Sequence, residues 1–223
     1  MAESAYRVFQ QLLKHPIEVY EEGRRFFHGT GMLYASIQRL AADLDGWQIP
    51  YVMIGAVGLN LYGYHRFTTN VNLVMTSAGL SRFGELLVGR GYRPAFQEAT
   101  RKFRTTDANV QIEVCVTGEY PGDGRPNPVA FPDPEERSVQ INGVTTVSLT
   151  KLIDLKLASG ISGPGRLKDL GDVQELIRFL GLSASLAAEL DPYVRAKYLE
   201  LHADLELAKI QTLAPDSERP SEP

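Results

Sequence analysis

The chain has 223 residues, a formal net charge of −4, 43% hydrophobic and 22% charged residues. This is the composition of an ordinary globular protein with one substantial core, not of a disordered or fibrous chain. An acidic balance, with pI near 5.6, excludes a global electrostatic footprint for nucleic acid, so any such contact must be local. Cys115 is the single cysteine, which excludes an intramolecular disulfide and a cysteine-based zinc site and fits a reducing, cytoplasmic setting. The N-terminal residues lack the uninterrupted apolar stretch of a signal peptide, and no apolar run approaches the roughly 18 residues that span a bilayer, so no membrane partner is expected.

In chain order, apolar residues recur at helical spacing from Tyr6 to about Asp45, interrupted at Pro16. The run from Pro50 to Gly55 (PYVMIG) then reads as a short buried strand, and 56–64 return to helical spacing. A strand is expected over Asn70–Met75, followed by a helix capped by Thr76 or Ser77, with Leu80, Phe83, Leu86 and Leu87 inward and Gly91 as its end. YRPAF, RKFRTT and NVQIEVCV predict a meander, with Asp107-Ala108 between the last two. The Pro/Gly-dense stretch EYPGDGRPNPVAFPDPEE is a long loop, and Asn142-Gly143 marks a two-residue hairpin. Helices follow at 150–159, 166–180 and 183–210, interrupted at Pro192, before a polar, proline-rich tail expected to be disordered.

This order predicts an α/β (α+β) fold: a mixed sheet flanked by helices, with a helical C-terminal region. The expected divisions are 1–46, N-terminal helices on the core; 47–148, the sheet domain; 149–210, the C-terminal helices; and 211–223, the tail.

Strand periodicity carries the chemical reading. In Asn70-Val71-Asn72-Leu73 the two amides share one face, and in Gln111-Ile112-Glu113-Val114-Cys115 the carboxylate of Glu113 lies on the polar face. A carboxylate on a neighbouring strand would complete a cluster with the asparagine pair. Two asparagines on one strand face need a reason, because asparagine is disfavoured in strands.

The stretch IGAVGLNLYGYHRFTTNVNLVM, Ile54 to Met75, resembles the nucleotidyltransferase motif of the polymerase-beta-like superfamily. In that motif a strand ends in Gly-Gly or Gly-Ser, a short helix follows, and basic and hydroxyl residues precede a strand bearing Asp-x-Asp. Gly63, Tyr64, Arg66, Thr68 and Thr69 match the pattern of small prokaryotic nucleotidyltransferases related to abortive-infection toxins. VQIEV is similar to the strand that donates the third carboxylate, here Glu113. LIDLKLASGISGPGRLKDLGDVQELI is similar to the C-terminal helices, with Lys156, Arg166, Lys168, Asp169 and Asp172 in matching places.

The resemblance implies nucleotide phosphates held at Gly55, Ala56, Arg66, Thr68 and Thr69, and by Lys156, Arg166, Lys168 and Asp169 of the C-terminal helices. Gly55-Ala56 reads equally as a tight turn, and Lys168-Asp169-Asp172 as helical charge pairing. The family's aspartates hold two Mg²⁺ ions, but this chain carries Asn70 and Asn72 at those positions, which leaves Glu113 as the one anionic ligand. Magnesium binding is therefore expected to be weak or absent, and transfer of a nucleoside monophosphate from an NTP to an RNA, protein or small-molecule hydroxyl to be low or lost. Whether the chain is an enzyme stays open. The alternative is a non-catalytic binding or regulatory module with a protein partner, for instance one half of a toxin–antitoxin pair.

Overall fold

A computed structural model describes residues 14–136 and 138–213. The expectations for 1–13 and for the tail beyond 213 lie outside the described residues. The chain divides into two units, Met1–Tyr120 with Ala130–Leu152, and Pro121–Val129 with Ile153–Pro223.

The first unit opens with α1 (Pro16–Phe27), where Pro16 sits in the first turn, which has no need of its missing N–H. After it come α2 (Gly31–Gly46), β1 (Val52–Ile54), α3 (Gly55–Leu61), β2 (Asn70–Met75), α4 (Ser77–Leu87), β3 (Tyr92–Pro94), β4 (Lys102–Thr105), β5 (Gln111–Val116), β6 (Ser138–Ile141) and β7 (Val144–Val147). The strands form one seven-stranded mixed sheet in the order β3-β4-β5-β2-β1-β7-β6. β2 runs parallel to β5 and β1 parallel to β7, whereas β1 and β2 are antiparallel. β3, β4 and β5 form the antiparallel meander that their sequences predict.

The β6–β7 hairpin turns at Asn142 and Gly143, with φ of 51° and 76°. This double positive φ is what the Asn-Gly pair supplies. Thr76 caps α4 by accepting from the Gly79 N–H at 3.0 Å. That helix ends at Leu87 rather than at Gly91, because Val88 leaves the helix in an extended conformation and bridges to Tyr92.

One face of the sheet builds the core. Met53, Leu73, Met75, Phe103, Ile112 and Val114 are buried there with Leu33, Leu40 and Leu44 of α2 and Phe83 and Leu87 of α4. Each such side chain contributes roughly 1.5–3 kcal/mol of transfer free energy. A carboxylate is also sealed into this unit: Glu22, fully buried, accepts from the Leu33 N–H at 2.9 Å, in the first turn of α2. There the exposed helix N–H groups favour negative charge.

The second unit contains residues 153–161 of α5 (Leu149–Ile161), a 3-10 turn (Pro164–Arg166), α6 (Leu167–Leu180), a second 3-10 segment (Ala184–Glu189) and α7 (Pro192–Leu213), together with loop residues 121–129. Gly181, at φ 62°, closes α6 in the left-handed conformation. α6 and α7 pack together, burying Val173, Leu176, Val194 and Tyr198. Among the described residues no helix is long and apolar enough to cross a membrane.

Candidate active site on the polar face of the sheet

β1 ends at Ile54 and α3 begins at once at Gly55, whose φ of +65° turns the chain from strand to helix. A side chain at this position would be strained by that φ. Its Cβ would also stand 3.0 Å from Asn72 Nδ2, which only glycine avoids.

α3 then runs into the connection carrying Arg66, Thr68 and Thr69. Asn60 braces this segment: its Nδ2 donates to the carbonyls of Ala56 at 2.7 Å and Arg66 at 2.6 Å, and its Oδ1 accepts from the Arg66 N–H at 3.0 Å. Phe67 packs against the Phe26 ring of α1, with centroids 6.3 Å apart. These contacts fix the entry into β2.

In β2 the alternation is the expected one, with Asn70 and Asn72 half-buried on one face and Val71 and Leu73 buried on the other. Side chains at this face form a directed relay. Thr68 Oγ1 donates to Asn70 Oδ1 at 3.0 Å, and Asn70 Nδ2 donates to Asn72 Oδ1 at 3.0 Å. The relay therefore ends on Asn72 Nδ2, a donor, beside Gly55.

Parallel pairing sets Asn70 against Gln111 and Asn72 against Glu113, so the three candidate catalytic positions share one face. Glu113 faces Lys102 of β4 on its other side, with Nζ 3.3 Å from Oε1, both side chains partly exposed. Cys115 follows on the same face. Burial and the neighbouring carboxylates of Glu113 and Glu119 push its thiol up to about 11, which leaves it protonated and unreactive at neutral pH. Among the described residues no group of three His, Cys, Asp or Glu side chains stands together as a metal site.

The positions proposed on the C-terminal helices belong to the second unit. Lys156 is buried, and its Nζ donates to Asp169 Oδ1 at 2.7 Å and Asp172 Oδ2 at 2.6 Å, while Ser159 Oγ donates to Asp169 Oδ2 at 2.7 Å. Burial alone would raise the Asp169 carboxyl. The Lys156 ammonium, both hydrogen bonds and nearby Arg166 outweigh it and hold the group below its ordinary value. Arg166 Nη2 donates to the Gly122 carbonyl at 2.7 Å, and Lys168 is exposed. Thus Asp169 and Asp172 meet Lys156 from another helix, rather than only pairing along their own.

Three participants escaped the sequence reading: Lys102, Arg104 and Asn60. Period-two alternation in RKFRTT puts Lys102 and Arg104 on one side, and the short turn to β5 sets them against Glu113 and Gln111, so a signal for these two was present. Asn60 gave none, because its role depends on a connection folding back over α3.

The fold and site define an α/β protein with a mixed sheet whose polar face bears an amide pair and one carboxylate. No protein-family model and no curated protein matches the chain. Solved structures similar to it include proteins described as nucleotidyltransferases or nucleotidyltransferase-like. An antigenic nucleotidyltransferase-like protein from Paracoccidioides brasiliensis is 17% identical, covering 79% of this chain and 88% of that one, with a TM-score of 0.45. ANT(2")-Ia, solved with adenylyl-2"-tobramycin, is 13% identical over 77% of this chain and 96% of that one, with a TM-score of 0.45. JHP933 from Helicobacter pylori is 16% identical over 91% and 96%, with a TM-score of 0.41.

Proposed function

We propose that this chain is a nucleotidyltransferase-type protein that has lost most or all transfer activity and serves as a binding or regulatory module. The assignment to that superfamily rests on the order of parts around Gly55: strand, glycine turn, short helix, Arg66-x-Thr68-Thr69, and then a strand presenting two side chains beside a carboxylate on its parallel neighbour.

One observation carries the loss of activity: the Asn70 to Asn72 hydrogen bond at 3.0 Å. Two aspartates there would repel one another and call for a cation between them, whereas the two amides hydrogen-bond directly and carry no charge to neutralise. The donor set does not suit a pair of Mg²⁺ ions, which need hard anionic oxygens. Glu113 is the one carboxylate on the face and is already paired with Lys102. Losing two negative ligands costs several kcal/mol of transition-state stabilisation, at about 1.4 kcal/mol per factor of ten in rate.

The test is a titration of MgATP and MgCTP into this protein and into the Asn70→Asp/Asn72→Asp variant, with NMP transfer measured in parallel. Magnesium-dependent binding confined to the variant is the expected result. Equal magnesium dependence in both proteins, or transfer by the native chain at rates usual for enzymes, would overturn the reading.

A further inference from the structure

The strand register places more than the amides on this face. Reading across the sheet, Asn70 lies beside Gln111, Gln111 beside Arg104, and Arg104 beside Arg93; in the next row Asn72 lies beside Glu113 and Glu113 beside Lys102. Partner residues in a ladder share a face, so three cationic side chains stand here against one carboxylate. Neighbouring strands are about 4.8 Å apart, so the row from Asn70 to Arg93 extends over roughly 14 Å.

That single carboxylate is engaged by Lys102. Glu119, the acid next nearest to the Cys115 end, is gripped by Arg101 through both carboxylate oxygens at 2.7 Å. Arg104 donates to the Asn109 carbonyl at 3.2 Å and to Gln111 Oε1 at 3.3 Å. Both acceptors are neutral, and both bonds are long for a guanidinium, which closes to about 2.7–2.9 Å on an anionic oxygen. Among the described residues Arg104 makes no ion pair. In addition, the relay through Thr68 and Asn70 ends with a donor, Asn72 Nδ2, on the same face beside Gly55.

We infer that this face takes a phosphate chain directly, as a free nucleotide or an inorganic polyphosphate, with no divalent cation between the oxygens and the protein. The inference rests on the loss of the metal-binding role proposed above and gives the same face a ligand. An acidic face repels phosphate and must recruit cations to accept it. Exchanging carboxylates for amides beside a row of cations reverses that sign: Lys102 neutralises Glu113, Arg104 supplies the charge, and Asn72 Nδ2 supplies a directed hydrogen bond. Bound Mg²⁺ lowers the charge of the phosphate chain, so it competes with the protein here instead of bridging to it.

The experiment titrates tripolyphosphate, ATP and CTP into the full chain in EDTA and again with millimolar Mg²⁺. Binding in EDTA, weakened by Mg²⁺, is expected, with a loss of about tenfold or more in Arg104→Gln at unchanged thermal stability. Asn72→Asp, which turns the donor into an anion, should also abolish binding in EDTA. ATP binding more tightly than tripolyphosphate would name a nucleotide as the ligand, and equal affinities an inorganic chain. Binding that requires Mg²⁺, no binding in EDTA, or indifference to Arg104→Gln would overturn the inference. Absence of binding in EDTA together with absence of transfer would sink this inference and leave the proposed loss of activity standing.

Discussion

Asn70 Nδ2 donates to Asn72 Oδ1 at 3.0 Å, so two side chains two residues apart on one strand are joined by a direct, uncharged hydrogen bond. Replacing both by aspartate exchanges this bond for a repulsion on a half-buried face, at a cost of roughly 1–3 kcal/mol. In a chain of this length the melting temperature should fall by about 3–10 °C in EDTA. Millimolar Mg²⁺ should recover much of the loss in the variant and leave the native protein unmoved. Differential scanning fluorimetry with and without Mg²⁺ checks both halves; a variant that stays as stable as the native chain in EDTA would show that the amides are not coupled.

Gly55 faces the same amide. Gly55→Ala meets two penalties, the positive φ of +65° and a Cβ 3.0 Å from Asn72 Nδ2, and should destabilise by about 1–2 kcal/mol. In an Asn72→Ala background only the backbone strain remains, so the glycine change should cost less there. A double-mutant cycle by urea unfolding reads the difference, and equal costs in the two backgrounds would assign the whole effect to the backbone.

The buried Lys156 makes a sharper case. Lys156→Met removes the cation that both Asp169 and Asp172 approach in a buried setting and should cost about 3–5 kcal/mol. Adding Asp169→Asn and Asp172→Asn to that variant should restore a large part of the loss. Chemical denaturation of the three proteins decides it; a mild effect of Lys156→Met alone would mean that the ammonium contributes little net stability.

Acid should act through the same cluster. The folded carboxyl of Asp169 sits below its ordinary value, so folding favours its ionised form. Its contribution is complete above the unfolded carboxyl range near pH 4 and is lost as pH falls through the depressed folded value. Stability measured from about pH 6 down to 2 should therefore decline more steeply in the native chain than in Asp169→Asn. Parallel curves would show that other carboxylates govern the acid limb.

Local pattern was the most legible layer of this molecule. Asn70–Met75 emerges with the bounds its alternation predicts, and Asn142-Gly143 turns where the chemistry of positive φ requires. Helix ends read less well: a glycine such as Gly91 marks a break, but the chain had already left the helix at Val88 to bridge with Tyr92. The polar face of β5 was legible from Glu113 alone. Its alignment with Asn72 was not, because β2 and β5 are parallel neighbours separated by a helix and two strands, and periodicity within a strand says nothing about the register between them. The same limit hid the fate of Lys156. A lysine on an amphipathic helix looks solvated until a second helix brings two carboxylates to it.

The second unit is also discontinuous in sequence: loop residues 121–129 belong with helices that begin at Ile153. Within it Gly122 lies so close to Ser162 that a Cβ there would come 2.1 Å from Oγ, and its carbonyl holds Arg166. During synthesis the loop segment is thus made well before the residues it must pack with, while the β6–β7 hairpin is still to come. The helical unit can only close late, after the last strands of the sheet have been made. A chain ended after the sheet would carry Val129, wholly buried in this structure, without the helices of its unit. Partial chains ended there should for that reason expose apolar surface, since no single cut in the sequence separates the two units.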